Sequence, residues 1–328
     1  MKKVYIDERW IGEHGIGRFA QVIASKISLI PMNMTGSPSS PLDAVRFFLH
    51  TLRYARNNLI FSPGYNAPIF IWTPFVFTIH DLNHIDRTEN SSVLKRIYYK
   101  WIMRRACRNA KVVLTVSEFS KQRIIEWAGV DPAHVVNVGN GVGEEYSLNA
   151  LAYKPGYKYV LSVSNRKAHK NEARIIESFA RANIESNVRL LFTGDGNQAL
   201  LDIAQKFNVQ DRVVFIGRVA EVDLPGLYRG AVMLVFPSLY EGFGLPVIEA
   251  MACGCPVLTS NTTSLPEVAG DAALLVDPTS IQSIADGITL IFTDAVLRSK
   301  MIGDGLAQAS KFSWDEVVRK VDNVLSNA

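Results

Sequence analysis

The stretch that decides the fold is V-M-L-V-F-P-S-L-Y-E-G-F-G-L-P-V-I-E, which runs from Val232 to Glu249. A short, continuous apolar run such as Val232 to Ser238 is typical of a buried strand in a parallel sheet. Gly242 and Gly244 allow the backbone that follows to approach a ligand closely, because they lack a Cβ atom. Pro246 suits the first position of a helix, so the free amides and the dipole of that helix are expected to form an anion site.

Two carboxylates flank this predicted anion site. Glu241 lies in the glycine loop, and Glu249 lies in the first turn of the predicted helix. Both side chains can accept hydrogen bonds from sugar or ribose hydroxyls, and paired carboxylates beside a phosphate site are the pattern of a nucleotide-sugar site. A plainer interpretation stays open, in which Glu249 only complements the helix dipole and Glu241 is a solvated loop acid.

Similar apolar runs recur along the whole chain. In the second half they are K-Y-V-L-S-V-S, R-L-L-F-T-G, R-V-V-F-I-G, P-V-L-T-S and A-L-L-V-D, each followed by a loop or a helix. In the first half, strands are predicted over Val4 to Arg9, Phe75 to His80, Val112 to Ser117 and Val135 to Val138. Strands that alternate with helices predict an α/β protein with parallel sheets covered on both faces.

Helices are predicted between these strands. One covers Gly17 to Ser28, and another covers Ser120 to Ala128, with Ser117 as its N-cap and Gly129 at its end. The last predicted helix runs from Trp314 to Leu325.

The length of 328 residues favours two domains of about 150 residues each. The segment from Gly141 to Tyr157 has no clear periodicity and contains glycines and a proline, so the junction is placed there. The expected division is 1–150 for the first domain, 151–312 for the second and 313–328 for a C-terminal helix.

The composition favours a soluble cytoplasmic protein. Hydrophobic residues make up 48% and charged residues 20%, and no apolar run reaches the ~18 residues of a membrane span. The N-terminus also lacks the apolar stretch of a signal peptide. The three cysteines, Cys107, Cys253 and Cys255, form no disulfide framework or metal spacing and are expected to be reduced.

Positive charge is concentrated in the first half. Residues 1–150 hold 18 Lys and Arg against 12 Asp and Glu, whereas the remainder holds 17 against 19. The segment from Val93 to Lys111 holds seven basic residues and no acid, with Tyr98, Tyr99 and Trp101 among them. Such a helix can lie on an anionic membrane, or it can be a packed helix with a solvated basic face or a phosphate-binding surface. Nucleic acid is not expected, since no binding motif accompanies the charge.

The segments E-G-F-G-L-P-V-I-E, H-K-N (His169 to Asn171) and S-L-P-E-V-A-G-D (Ser264 to Asp271) resemble the retaining family 4, or group 1, glycosyltransferases. The resemblance covers most of the chain and is strongest from Asp211 to Pro278. It implies the GT-B fold, in which two Rossmann-like, doubly wound parallel-sheet domains face a central cleft. It further implies an N-terminal acceptor domain, a C-terminal nucleotide-sugar donor domain and a final helix that crosses back onto the first domain.

Catalytic roles follow from the resemblance together with the local pattern. It implies that Glu241 contacts the donor sugar and Glu249 the ribose. In S-V-S-N-R-K-A-H-K-N, from Ser162 to Asn171, clustered cations follow a strand and can stabilise a departing diphosphate. The resemblance makes Lys170 the best diphosphate ligand, with Arg166 in place of an arginine that relatives carry nearer the strand end. A solvated basic loop is the alternative.

Two further sites are predicted on the first domain. The loop G-E-H-G-I-G-R, from Gly12 to Arg18, follows the first strand, and its glycines with Arg18 suit a phosphate, although a tight turn also explains it. His80 follows an apolar strand, where Asp81 could orient it. A lone histidine there is often a hydrogen-bonded structural residue, but the resemblance favours a functional role, because the family carries a donor-contacting histidine at this strand end. The predicted catalytic residues are Glu241, His80, Lys170 and Arg166, and the predicted donor-binding residues are Gly15, Gly17, Arg18, Lys170, Arg166, Gly194, Gly242, Phe243, Gly244, Leu245 and Glu249.

No metal or cofactor is expected. The chain has no Asp-x-Asp sequence, so the diphosphate of the nucleotide-sugar co-substrate is expected to bind without a metal ion. The loop G-N-G-V-G, from Gly139 to Gly143, resembles a dinucleotide fingerprint but lacks the following helix, and it is interpreted as a hinge.

The sequence therefore predicts a hexosyltransferase that transfers a hexose, mannose from GDP-mannose as the first expectation, to a glycan or lipid-linked glycan in polysaccharide or O-antigen assembly. The expected location is cytoplasmic, peripheral at the inner membrane face if the basic helix binds anionic lipid. The alternatives are a GT-B sugar phosphorylase, a nucleotide-sugar epimerase or a non-catalytic sugar-binding protein.

Overall fold

The computed structural model describes residues 2–12, 15–87 and 93–328. The chain divides into two compact units, unit 1 (Met1–Gly141 with Ser313–Ala328) and unit 2 (Val142–Phe312). The boundary lies at the start of the irregular segment from Gly141 to Tyr157, and the C-terminal helix belongs to unit 1.

The strands of both units are short. In unit 1 they are β1 (Val4–Ile6), β2 (Ile30–Pro31), β3 (Leu59–Ser62), β4 (Phe75–Thr78), β5 (Val112–Thr115) and β6 (Val135–Asn137). In unit 2 they are β7 (Tyr159–Ser162), β8 (Arg189–Phe192), β9 (Val213–Phe215), β10 (Met233–Phe236), β11 (Val257–Ser260) and β12 (Leu274–Val276).

The α-helices are α1 (Gly15–Lys26), α2 (Asp43–Thr51), α3 (Asn83–Asp86), α4 (Val93–Tyr98), α5 (Arg104–Asn109), α6 (Glu118–Ala128), α7 (Glu172–Arg181), α8 (Gln198–Lys206), α9 (Leu224–Gly230), α10 (Leu245–Ala252), α11 (Leu265–Ala269), α12 (Ile281–Thr293), α13 (Ala295–Ala309) and α14 (Trp314–Asn327). A π-helical stretch, Tyr99–Met103, joins α4 to α5.

Each unit contains one parallel sheet, and the α/β prediction is confirmed. The strand order is β2-β1-β3-β4-β5-β6 in unit 1 and β12-β11-β10-β7-β8-β9 in unit 2. Both orders reverse direction once, between β1 and β3 in unit 1 and between β7 and β10 in unit 2. In doubly wound sheets, ligands bind outside the carboxyl ends of the strands at this switch point.

Helices cover both faces of each sheet. In unit 1, Phe19 and Ile23 of α1 pack with Trp314 and Val321 of α14 against one face, while Phe77 belongs to a second core cluster on the other face. Unit 2 has its main core around Val160, Phe179, Leu190, Val235 and Ile288. These cores hold the strand ends, and therefore the loops that follow them, in fixed positions.

Most predicted elements are confirmed, with shifted ends. Ser117 caps α6 by accepting a hydrogen bond from Ser120 N, and Gly129 ends it in the left-handed conformation at φ 65°. The predicted strand Val4 to Arg9 was too long, because Asp7 accepts a hydrogen bond from Arg9 N and starts a 3₁₀ turn. The strands β2 and β3 were not predicted; β2 is a two-residue edge strand, whereas β3 is fully buried and its run L-I-F-S was a readable signal.

Candidate functional site

An ion pair lies at the switch point of unit 2. Lys170 ends a 3₁₀ turn after β7, and Glu241 lies in the loop after the neighbouring strand β10. Lys170 Nζ donates to Glu241 Oε1 at 2.7 Å, and each side chain is only 13% exposed. The structure therefore brings together the two residues predicted to hold the diphosphate and the donor sugar.

The glycine loop after β10 is fixed from behind by Ser264. Its hydroxyl, fully buried, contacts the carbonyl oxygens of Glu241 at 3.0 Å and of Phe243 at 2.9 Å. Gly244 has φ 105°, and a Cβ atom on it would lie 2.6 Å from the side chain of Leu265. Glycine is therefore needed at this position for both its conformation and its packing.

Helix α10 begins at Leu245, one residue before the predicted Pro246, with Gly244 as its N-cap. Gly242 and Phe243 are buried in the loop, and the Phe243 ring packs edge-on against Phe312 at 5.6 Å between ring centroids. The backbone at the start of α10 is thus held by packing on both sides, as a rigid anion site requires.

Glu249, predicted to bind the ribose, is buried in α10 with 3% exposure. Tyr228 of α9 donates a hydrogen bond from its hydroxyl to Glu249 Oε2 at 2.9 Å. Burial, and after it the charge of Glu249, raise the pKa of Tyr228 well above its ordinary value. The phenol therefore stays protonated, and it orients one carboxylate oxygen of Glu249.

Arg166 lies in the loop after β7 and contacts the loop that follows the neighbouring strand β8. Its guanidinium donates to the carbonyl oxygens of Asp195 at 2.6 Å, Thr193 at 2.7 Å and Gly194 at 2.8 Å, all after β8, and it pairs with the buried Glu172. Gly194, itself predicted to bind donor, has φ 80° and donates its amide to Gly217 O at 2.6 Å. Arg166 thus joins the loops after β7 and β8, and a structural role accompanies its predicted one.

Two hydroxyls beside the switch point have no hydrogen-bond partner within the described part of the chain. They are Ser164 Oγ, shortly after β7, and Ser238 Oγ, shortly after β10. Asn171 holds the same edge together by donating to the carbonyl oxygens of Pro237 at 2.9 Å and Pro278 at 2.7 Å. Since buried polar groups are usually satisfied, the two hydroxyls mark a place suited to a polar ligand.

In unit 1, the predicted glycine loop enters α1. Gly15 is exposed, Gly17 is buried and Arg18 is half-buried, while Glu13 and His14 of the same loop lie outside the described residues. A Cβ atom on Gly17 would lie 2.1 Å from Gly12 O. Glycine is therefore required at position 17 by backbone packing, whether or not a phosphate binds there.

His80 lies just after β4 and is 7% exposed. Its Nε2 lies 2.9 Å from Pro63 O, and its ring packs edge-on against Phe19 at 5.2 Å. Asp81, which the sequence suggested could orient it, accepts a hydrogen bond from Asn83 N at 3.0 Å. The contacts of His80 hold it at the sheet edge of unit 1, and its role toward a donor stays a prediction.

A buried polar network at the unit 1 switch point was missed. Arg9 donates to both oxygens of Asp7 at 2.8 Å and to Asp43 Oδ1 at 2.5 Å, and Asn66 donates to Asp7 Oδ2 at 2.5 Å. Asp7 and Asn66 are almost fully buried. The signal was present in the sequence, since Asp7 and Arg9 directly follow the first strand, but Asp43 and Asn66 are too distant in the chain to be paired by inspection.

Within the described residues, no helix is long and apolar enough to cross a membrane. The same part of the chain holds no group of three or more His, Cys, Asp or Glu side chains placed to hold a metal ion. Cys107, Cys253 and Cys255 are free and buried, and burial raises the pKa of Cys107 and of Cys253 to about 12.

Two family models match the chain. The model described as "Glycosyl transferases group 1" matches residues 145–308, and the model described as "Glycosyltransferase Family 4" matches residues 17–146. The chain therefore belongs to the group 1 glycosyl transferases, and it is a glycosyltransferase with the GT-B fold.

The proteins to which the chain is similar include mannosyltransferases. It is 30% identical to the "O-antigen chain mannosyltransferase B" of Escherichia coli over 76% of this chain and 69% of that protein. It is 31% identical to the "Serotype-specific mannosyltransferase WbdA" of Escherichia coli over 62% of this chain, but it spans only 27% of WbdA. The structure of Anabaena Alr3699/HepE in complex with UDP has the same fold, with a TM-score of 0.79 at 19% identity over 100% of both chains.

Proposed function

We propose that this glycosyltransferase transfers mannose from GDP-mannose to a hydroxyl of a glycan acceptor with retention of the anomeric configuration. The choice of mannose is supported by the similarity to the two E. coli mannosyltransferases. The observation that carries the reaction is the Lys170–Glu241 ion pair at the switch point of unit 2.

Unit 2 is proposed to bind the donor. The β-phosphate gains negative charge as it departs, and Lys170 together with the backbone at the start of α10 would stabilise it. Because Glu241 already holds the Lys170 ammonium at 2.7 Å, the cation needs little reorganisation when the charge develops. These fixed groups are proposed to bind the diphosphate without a metal ion or other cofactor.

Other residues of the donor site are proposed to position it. Glu241 accepts hydrogen bonds from the sugar hydroxyls and Glu249 from the ribose, while Ser164 and Ser238 supply hydroxyls that have no partner among the described residues. Arg166 is proposed to contribute charge to the diphosphate in addition to joining the two loops. In unit 1, the proposed roles of Gly15, Gly17, Arg18 and His80 toward the donor are the ones that the family resemblance implies.

The transfer step is proposed to occur on one face of the sugar. The acceptor oxygen forms a bond to the anomeric carbon as the bond from that carbon to the β-phosphate oxygen breaks, and the acceptor proton passes to the departing phosphate. The products are GDP and a glycoside of unchanged anomeric configuration. Neither Glu241 nor any other side chain is assigned as a nucleophile.

The acceptor is proposed to be a growing bacterial polysaccharide carried on a lipid, bound by unit 1. This proposal is supported by the O-antigen function in the name of the relative that is 30% identical. It places the protein on the cytoplasmic side of the membrane, where nucleotide sugars are available.

The proposal is tested with purified protein and a panel of nucleotide sugars. GDP-mannose is expected to raise the melting temperature more than UDP-glucose, and a mannose-terminated soluble acceptor should gain one hexose with release of GDP. Proton NMR of the product should show the anomeric configuration of the donor. A product of opposite configuration would overturn retention, and a preference for UDP-glucose would overturn the donor.

Two variants test the ion pair. Lys170→Ala and Glu241→Gln are each expected to lower kcat about 10² to 10³-fold, the range seen when one charge-stabilising group is removed. Lys154→Ala, an exposed lysine of unit 2, is the matched control and should keep full activity. Near-normal kcat in both site variants would contradict the assignment.

A further inference from the structure

Helix α2 and its capping residues, Leu42 and Leu52, carry an exposed apolar stripe. Leu42, Val45, Leu49 and Leu52 are 69%, 41%, 57% and 44% exposed. Steps of three, four and three residues place the four side chains along one face of a helix. Exposed apolar side chains that are grouped in this way mark a contact surface, whereas single ones need no explanation.

The basic helix from α4 to α5 carries a second stripe. Leu94, Ile97 and Trp101 are 67%, 51% and 67% exposed and are again spaced by three and four residues. The other side of the same helix is packed, with Met103 and Cys107 fully buried in the core of unit 1. The helix is therefore anchored on one face and presents apolar groups on the other.

Phe70 connects the two stripes. Its ring lies 5.5 Å from the ring of Phe48 on α2, and Arg105 Cζ of α5 lies 4.9 Å from its centroid. Phe70 is itself 48% exposed. Phe70 thus lies between α2 and the basic helix, and we call the two stripes together with Phe70 the basic apolar face of unit 1.

The charge on this face has one sign. Between residues 42 and 72 there are three arginines and one acid, and between residues 93 and 111 there are seven basic residues and no acid. The one acid, Asp43, is buried with 2% exposure and accepts hydrogen bonds from Arg9. Arg56 covers the exposed Trp72, its Cζ lying 3.7 Å from the ring centroid, so cations and aromatic rings are interleaved.

We infer that the basic apolar face docks on a bilayer that contains anionic phospholipid, with both stripes in the interface. A second copy of the chain is disfavoured as the occupant, because pairing two such faces would bring like charges together. Exposed leucine, isoleucine, phenylalanine and tryptophan side chains enter the boundary between headgroups and acyl chains, while lysine and arginine contact lipid phosphates. The inference is independent of the proposed donor, since its residues belong to unit 1, whereas Lys170 and Glu241 belong to unit 2.

Vesicle flotation tests the inference. The full chain is mixed with vesicles of phosphatidylcholine, with or without 30% phosphatidylglycerol, at low and at high salt. Binding is expected only with phosphatidylglycerol and should weaken as salt screens the charges. Absence of flotation with the anionic vesicles at low salt would overturn the inference.

Variants separate the contributions of the two stripes. Leu49→Ser and Trp101→Ser are each expected to lower the partition coefficient several-fold, and Arg96→Gln with Lys100→Gln should lower it about 25-fold, or about fivefold per cation. The matched controls are Leu151→Ser, at a leucine of unit 2 that is 90% exposed, and Lys154→Gln, which should bind as the unaltered protein does. If Trp101→Ser weakens binding and Leu49→Ser does not, the inference that both stripes dock is wrong, and only the basic helix contacts the bilayer.

Two measurements distinguish other outcomes. Sedimentation that shows a dimer disrupted by the same serine variants, without vesicle binding, would overturn the bilayer in favour of a second copy. Transfer to a water-soluble acceptor should be unchanged in all of these variants, so loss of docking and loss of the proposed transfer activity are read separately.

Discussion

The cations of unit 2 and those of the basic apolar face of unit 1 are held in opposite ways. Lys170 and Arg166 have side chains that are 13% and 18% exposed, and each is paired with a glutamate. On the basic apolar face, Arg96 and Lys100 are exposed. The first pair is fixed in space by the fold, whereas the second pair can move on flexible side chains.

The difference corresponds to what each region is proposed to bind. A diphosphate has one shape, and fixed charges stabilise its developing charge without reorganisation. A lipid surface has no fixed arrangement of charges, and long exposed side chains can follow it while their stems cover apolar area. Sequence composition alone makes these two basic clusters look alike, and burial separates them.

The largest stability effect is expected at Arg166. Arg166→Ala removes a guanidinium that makes hydrogen bonds to three carbonyl oxygens and leaves Glu172, which is 7% exposed, without its partner. Breaking a buried pair of this kind costs about 3 kcal/mol. Urea unfolding monitored by circular dichroism should show that loss in the free energy of unfolding of unit 2.

The control for Arg166 is Arg181→Ala. Arg181 also pairs with a glutamate, Glu177, but the Arg181 side chain is 51% exposed. Its removal should therefore lower the free energy of unfolding by about 0.5 kcal/mol or less. Equal losses in the two variants would break the comparison, because they would show that Arg166 is not held more tightly than an exposed cation.

The sequence predicted many of the strands and helix ends that position the site, but it did not predict which side chains pair with each other. Continuous apolar runs predicted the buried strands around V-M-L-V-F-P-S, and the caps Ser117 and Gly129 predicted the ends of α6. Local patterns decide such features, because they depend on neighbours a few residues away.

Features that join distant parts of the chain were not predicted. The hydrogen bond from Tyr228 to Glu249, the support of the glycine loop by Ser264 and the network of Asp7 with Asn66 all connect residues that lie more than 20 positions apart. Their pairing depends on strand order and helix packing, which a list of apolar runs does not specify. The exposed stripe on α2 was missed for a different reason, since the spacing of its apolar residues fits a buried helix face equally well.

A smaller effect is expected at Tyr228, which positions Glu249. Tyr228→Phe keeps the ring and removes the hydrogen bond to Oε2, so the carboxylate is less well oriented toward a ribose. We expect the KM for the donor to rise about tenfold, or about 1.4 kcal/mol, with kcat nearly unchanged. Steady-state kinetics with the soluble acceptor measures both constants.

Measuring the KM for the donor separately from kcat distinguishes a positioning role of Tyr228 from a merely structural one. If Tyr228 acts through Glu249, Tyr228→Phe should change the KM little in a Glu249→Gln background, because the two changes remove the same interaction. Tyr153→Phe, at a tyrosine that is 42% exposed, is the control and should leave both constants unchanged. A fall in kcat with an unaltered KM would argue against the assignment.

The smallest effect is expected for a single cation of the basic apolar face. Lys100→Gln removes an exposed charge, so the free energy of unfolding should change by no more than about 0.5 kcal/mol, and donor KM and kcat should stay as they are. Only the partition onto anionic vesicles should fall, by about fivefold. The same substitution at Lys170 should do the reverse and lower kcat while leaving vesicle binding intact. A matching loss of kcat in both variants would mean that the two basic regions serve one site, and the distinction between a fixed cation pair and an adaptable surface would be wrong.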